Sequence, residues 1–195
     1  MSKENPIIFN AEMVKAILER RKTQTRRPVK PHKPSNDPWK FSPFGKPADV
    51  LWVRETVRLC EFGTCIPMRD EDNYNYVKVS YNRTNEEKLR VPCSEWEKWR
   101  KYAFKRSDDL DKKAVFVPSI HMPRWACRTT LKVKRVWVER VQDISDEDAI
   151  AEGVPKCDTP QKQFKILWNS IYGTWDENPW VWACEFEVIQ GLAIP

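Results

Sequence analysis

Between Leu18 and Pro28 the chain reads Leu-Glu-Arg-Arg-Lys-Thr-Gln-Thr-Arg-Arg-Pro. Five cations, Arg20, Arg21, Lys22, Arg26 and Arg27, fall within eight residues, with the hydroxyls of Thr23 and Thr25 among them. A phosphate or another oxyanion is the partner that such a surface suits. A solvated basic loop is the competing reading. The charge distribution bears on the choice. The chain carries a net +6, yet residues 1–48 hold eleven Lys/Arg against four Asp/Glu, a net +7, and the remainder sums to −1. The basic excess is therefore local, which favours a localised anionic ligand over general adhesion to polyanions.

Other chemistry-bearing residues are more scattered. Arg54 and Glu55 close the apolar run Val50–Val53. They read either as an ion pair at a pocket rim, with Glu55 accepting from an exocyclic amine, or as a strand leaving the core. Arg124 and Trp125 pair a cation with an aromatic, a combination that contacts phosphate and stacks on a base. A tryptophan anchoring its loop to the core is the alternative. The cysteines are Cys60, Cys65, Cys93, Cys127, Cys157 and Cys184, and His121 is one of two histidines. Cys60, Cys65, Cys93 and His121 make a weak zinc pattern with no tight second pair, so free thiols are the better reading and no metal or cofactor is expected.

These residues need elements to hold them. Asn10 is positioned to cap a helix whose buried face is Met13, Val14, Ile17 and Leu18, running to about Arg20 or Arg21. Pro28 sends the basic segment out extended. Residues 30–47, with five prolines, read as loop, and Val50–Val57 as one strand. Residues 60–114 have the composition of an insertion, with short strands at Tyr76–Tyr81 and Lys88–Val91. A helix is expected from Ser94, burying Trp96, Trp99, Tyr102 and Ala103, with a charged loop from Ser107 to Lys113. Val115–Val117 is a short strand. Thr129–Val141 is a long one whose apolar phase switches near Lys134 and Arg135, which predicts a bulge. Ser145 caps a helix ending at Gly153. Thr159 and Pro160 open a second helix with the stripe Phe164, Leu167, Trp168 and Ile171. In the last strand, Trp180–Ile189, alternate residues from Trp180 to Val188 face one way. The fold class expected is α+β: one domain over residues 1–195, a curved β-barrel with helices packed outside and an insertion at about 60–114. No apolar run approaches the roughly 18 residues that span a membrane. No apolar core follows Met1–Asn5, so a cytoplasmic protein is expected.

Arg-Lys-Thr-x-Thr-x-Arg after a helix, then Ala-Asp-Val-Leu-Trp-Val-Arg-Glu, resembles the ASCH domain family, whose fold is similar to the PUA barrel. Ile-Ser-Asp-Glu-Asp-Ala-Ile-Ala-Glu-Gly and the closing Trp-Val-Trp-x-x-Glu-Phe strand fit the same family. With Ile-His-Met-Pro-Arg-Trp-Ala at 120–126, the chain looks like the longer ASCH proteins of phages and prophages, which would place it in a host cytoplasm. The resemblance covers about residues 6–59 and 115–190. It implies a cleft for a nucleobase or nucleoside. It also implies a set used by small bacterial members to remove the acetyl group of N4-acetylcytidine: a Lys, a Thr three residues on, and a Glu in the later helix. Here those positions are Lys22, Thr25 and Glu152. Arg20 stands where the family often has Gly, and Arg27 and Pro28 replace an acidic run.

The same three residues make a workable hydrolytic set on chemical grounds. Thr25 would be the nucleophile. Lys22, crowded by Arg21 and Arg26, would be the base, and Glu152 would relay a proton. Residues 22 and 25 face opposite sides of a regular strand, so the set requires irregular backbone between them. A non-catalytic RNA- or DNA-binding protein would use the same cleft, with Arg21, Arg26, Arg27 and Arg124 on phosphates and Trp125 on a base. A protein-interaction module is the third reading.

Overall fold

Asn10 caps the first helix as its position predicts: its side chain accepts a hydrogen bond from the Met13 amide at 2.9 Å. The helix, Ala11–Leu18, buries Met13, Val14, Ala16, Ile17 and Leu18. It stops earlier than its apolar pattern suggests, because Arg20 takes a left-handed backbone at φ 61°. The computed structural model describes residues 2–30, 37, 39–61, 74–81, 85–92, 94–98 and 114–190.

The chain divides into two compact units, Met1–Val53 with Arg128–Pro195, and Arg54–Cys127. The first is mixed α and β. Its sheet has the order β1-β3-β8-β9-β2, where β1 is Glu4–Ile8, β2 Gln24–Pro28, β3 Val50–Arg54, β8 Thr130–Arg140 and β9 Trp180–Gln190. The pairs β3/β8, β8/β9 and β2/β9 are antiparallel. The register of β8 on β9 slips between Val133 and Arg135, where the change of apolar phase places a bulge. Trp182, Cys184 and Phe186 enter a core with Phe9, Ile17, Leu51 and Leu131. The other phase of β9 is buried too. Val181 packs with Ile144, Ala149, Phe164 and Trp168 beneath the two later helices, Asp146–Ala151 and Pro160–Ile171. Each Val, Leu, Ile or Phe among them, removed from water, contributes about 1.5–3 kcal/mol. Ser145 caps the first of these helices, accepting from the Asp148 amide at 3.1 Å. Thr159 occupies the N-cap of the second, but its side chain makes no capping bond, and Ile171 is 43% exposed rather than buried.

The second unit carries the sheet β6-β5-β4-β7, with β4 Val57–Glu61, β5 Tyr74–Tyr81, β6 Asn85–Pro92 and β7 Ala114–Val117. Val57 therefore belongs to a different sheet from Val50: the expected single strand is two, interrupted at Glu55 and Thr56. Residues 94–98 are helical, and Trp96 joins Leu59, Val79, Tyr81 and Met122 in a second core. Trp99, Tyr102, Ala103 and the 107–113 loop lie outside the described residues, as do Cys65 and Cys93 of the zinc pattern. Among the described residues no cluster of His, Cys, Asp and Glu could hold a metal. No helix among them is long and apolar enough to cross a membrane.

Candidate functional site

The basic stretch seals the end of the acidic helix Asp146–Ala151. The Thr23 amide donates to the Ala151 carbonyl at 2.8 Å. Lys22 Nζ donates to the Glu152 carbonyl at 2.7 Å, and Arg21 Nη1 to the Gly153 carbonyl at 3.1 Å. Cations are the favourable partners for carbonyls at a helix C-terminus. Gly153 stands just beyond that end at φ 95°, and a Cβ there would lie 3.1 Å from Lys22 Cβ and 3.2 Å from Ala16 Cβ. A residue with no side chain lets the helix end close on Lys22.

Lys22 and Glu152 meet. Lys22 Nζ lies 2.5 Å from Glu152 Oε2, with the two residues 0% and 4% exposed. Burial lowers the Lys22 pKa from the ordinary lysine value. The Glu152 carboxylate opposes that shift, and the guanidinium groups of Arg27 and Arg26 add to it. The direction agrees with crowding by cations, but desolvation is the main cause and Arg21 has no part in it. Arg21 instead turns to Glu19, 2.5 Å away, with 49% of its side chain exposed.

Arg26 is not presented to a phosphate. It is 2% exposed and is consumed by carboxylates. Its Nε donates to Glu139 at 2.7 Å, Nη2 to Asp148 at 3.1 Å, and Nη1 to Glu152 at 3.3 Å and to the Gln24 side chain at 3.1 Å. Arg27 is likewise occupied. Its Nη2 donates to the Ile8 carbonyl at 2.9 Å and Nη1 to the Tyr172 hydroxyl at 3.3 Å, with the guanidinium over Phe9 at 5.5 Å. Glu139, Asp148 and Gln24 went unrecognised in the sequence as Arg26 partners. Asp148 shows there only as the residue that receives the Ser145 cap, and nothing local ties Glu139 to a strand more than a hundred residues away.

Thr25 sits in β2, which begins at Gln24, so Lys22 precedes the strand; the left-handed residue at this helix exit is Arg20, before Lys22, and the Phe186 amide donates to the Thr23 carbonyl at 2.9 Å. Thr25 pairs in register with Cys184. Residues opposite one another on antiparallel strands share a face, so Thr25 shares that of Cys184, in the core that holds Phe9. Lys22 Nζ lies 5.7 Å from the Phe9 ring. The Cys184 thiol is pushed up to about 12 by burial and then by the Glu152 and Glu185 carboxylates, so the charge of Glu152 is felt there. Thr25 is 1% exposed and its Oγ1 has no hydrogen-bond partner. A buried, unsatisfied hydroxyl costs about 1–3 kcal/mol.

Two clefts flank the Lys22–Glu152 pair. One, about 270 Å³, is lined by Arg20, Lys22, Thr23, Lys134 and residues 185–188 of β9. The other, about 410 Å³, runs between the first helix and the Pro160–Ile171 helix and takes Arg21, Glu152, Gly153, Met13 and Leu167 in its walls. Thr25 lines neither.

The remaining expected residues lie in the inserted unit. Arg54 donates through Nη2 to the Ile120 carbonyl. Glu55 is 2% exposed, and its amide donates to Met122 Sδ at 3.2 Å. Arg124 is exposed. Trp125 is half-buried and meets Trp96 edge-on at 6.2 Å, a contact of the anchoring kind.

No family model matches the chain, and no curated protein matches it significantly. A solved structure, protein EF3133 from Enterococcus faecalis V583, described under the family DUF984, aligns with 100% of this chain and 86% of its own at 10% identity. Its TM-score is 0.44, and a superposition that loose assigns neither fold nor activity.

Proposed function

We propose that the first unit is an ASCH-type, PUA-like barrel that recognises a modified nucleobase and hydrolyses the amide of an N4-acylated cytidine. The observation that carries this reading is the pairing of a buried, pKa-lowered amine with a carboxylate, together with a buried Thr25 hydroxyl that has no hydrogen-bond partner. Closure of the barrel is supported by Arg27, which bridges from edge strand β2 to the Ile8 carbonyl of edge strand β1.

Thr25 Oγ attacks the acyl carbon, and its proton passes to the neutral Lys22 amine. The tetrahedral intermediate collapses with cleavage of the C–N bond. The leaving exocyclic nitrogen takes the proton back, with Glu152 relaying it from the ammonium. Water then hydrolyses the threonyl ester, releasing the carboxylic acid and restoring the hydroxyl. Lowering of the Lys22 pKa by burial makes the neutral amine accessible. With Lys22, Thr25 and Glu152 at 4% exposure or less, substrate entry has to part the Lys22–Glu152 pair.

The test is turnover of N4-acetylcytidine, followed as cytidine and acetate. Lys22→Ala and Thr25→Val both remove it. Thr25→Val is the more telling variant. It deletes a hydroxyl that bonds nothing, so the fold keeps its stability or gains about 1 kcal/mol while activity disappears. Turnover that survives Thr25→Val would sink the nucleophile assignment. The near-complete burial of the three residues favours a second reading, an RNA- or DNA-binding protein that never opens the pair. Salt-dependent nucleic-acid binding that persists in Thr25→Val, with no turnover, would be its signature.

A further inference from the structure

Arg20 ends the first helix in a conformation that suits glycine. The Arg21 amide donates to the Ala16 carbonyl at 2.9 Å and the Arg20 amide to the Ile17 carbonyl at 3.0 Å. Together they form the paired bonds of a Schellman ending with Arg20 in the left-handed position. Arginine gains nothing there over glycine as far as the backbone is concerned, so a reason for it has to lie in the side chain. The guanidinium is exposed and lines the same 270 Å³ cleft as Lys22. Its Nη1 donates to the Val188 carbonyl at 3.1 Å.

The other charges of this cleft are already matched. Lys134 lies 3.0 Å from Glu185, and Glu187 lies 3.7 Å from Lys132 outside it. Lys22 holds Glu152. Among the described residues Arg20 alone of the cleft's cations meets no carboxylate, and its Nε and Nη2 have no partner there. A planar pair of N–H donors in a cleft that Lys22 also lines is the geometry that grips a phosphate in two places.

We infer that Arg20 binds a phosphate carried on the ribose of the substrate, so that the site acts on nucleotides or an oligonucleotide rather than on free nucleosides. This rests on the nucleobase reading above for what the phosphate is attached to. The phosphate contact itself stands on Arg20 and the cleft.

The experiment is calorimetric titration of the wild type, Arg20→Gly and Arg20→Lys with cytidine, cytidine 5′-monophosphate, a short cytidine oligonucleotide and inorganic phosphate. The monophosphate is expected to bind at least about tenfold tighter than cytidine at low salt. That advantage shrinks as salt rises and vanishes in Arg20→Gly, with the melting temperature kept or raised. Arg20→Lys retains only part of it, because a lysine cannot grip two oxygens in a plane. An advantage of the oligonucleotide over the monophosphate would place the phosphate in a chain, and the reverse would identify a mononucleotide. Equal affinity for cytidine and its monophosphate overturns the inference, as does a phosphate advantage that survives Arg20→Gly, or no binding of any phosphate-bearing ligand. Acylated-nucleoside turnover without a phosphate advantage leaves the hydrolase reading standing and this one fallen. Arg20-dependent binding of inorganic phosphate without acyl turnover does the reverse: the phosphate contact stands and the hydrolase reading falls.

Discussion

Two helix ends converge on the basic stretch, and they are finished in opposite ways. The helix Asp146–Ala151 ends at Gly153, where φ is 95° and the nearest side-chain carbons, on Lys22 and Ala16, leave little room for a Cβ. The helix Ala11–Leu18 ends at Arg20, where φ is 61° and the residue carries a long charged side chain into a cleft. The backbone asks for glycine at both. At the buried end packing enforces it, and at the exposed end something else overrules it. Residues held in the left-handed region without a packing reason are where function is to be sought.

Removing the counter-charge at the buried end should have the largest effect. Glu152→Leu leaves the Lys22 ammonium buried without its carboxylate and should cost about 3–5 kcal/mol in urea unfolding, whereas the double change with Lys22→Met recovers most of that loss. If the single and double variants unfold alike, Lys22 and Glu152 do not act as a coupled pair. Gly153→Ala comes next. A left-handed alanine and the contact with Lys22 should together cost about 1–3 kcal/mol. The matching change at the exposed end, Arg20→Gly, should move stability the other way or not at all, by about 0–1 kcal/mol. Equal losses at both ends would erase the distinction between them.

The smallest effect is on pH dependence. Lys22 has its folded pKa lowered, so in the window between that value and 10.5 the unfolded chain holds a proton that the folded chain has released. Stability therefore rises as pH climbs through this window, because the unfolded state binds more protons there. Comparing wild type with the Lys22→Met, Glu152→Leu double variant should show that rise only in the wild type.

Much of this was legible in the residues. Asn10 and Ser145 sit where helix starts need an acceptor, and both side chains make the capping bond. The apolar phase switch in Thr129–Val141 marks a bulge that the register of β8 on β9 displays. The resemblance to the ASCH domain family marked Lys22, Thr25 and Glu152 for attention, and Lys22 and Glu152 do meet. Less legible was which cations would face outward. Arg20, Arg21, Arg26 and Arg27 read as one basic patch, yet Arg26 is drawn under three carboxylates while Arg21 turns to Glu19. Trp125 meets Trp96 edge-on, a partner 29 positions away that no local pattern identifies.

Caps, turn formers and apolar periodicity act over a few residues, so the order and type of the elements follow from neighbours along the chain. Partnership of charges does not, because Lys22 and Arg26 find their carboxylates 113 to 130 positions away. Which cation is buried and which stays wet depends on the strand face it lands on and on the acidic helix packed above that face. Those are properties of the assembled sheet, and no local pattern of residues contains them.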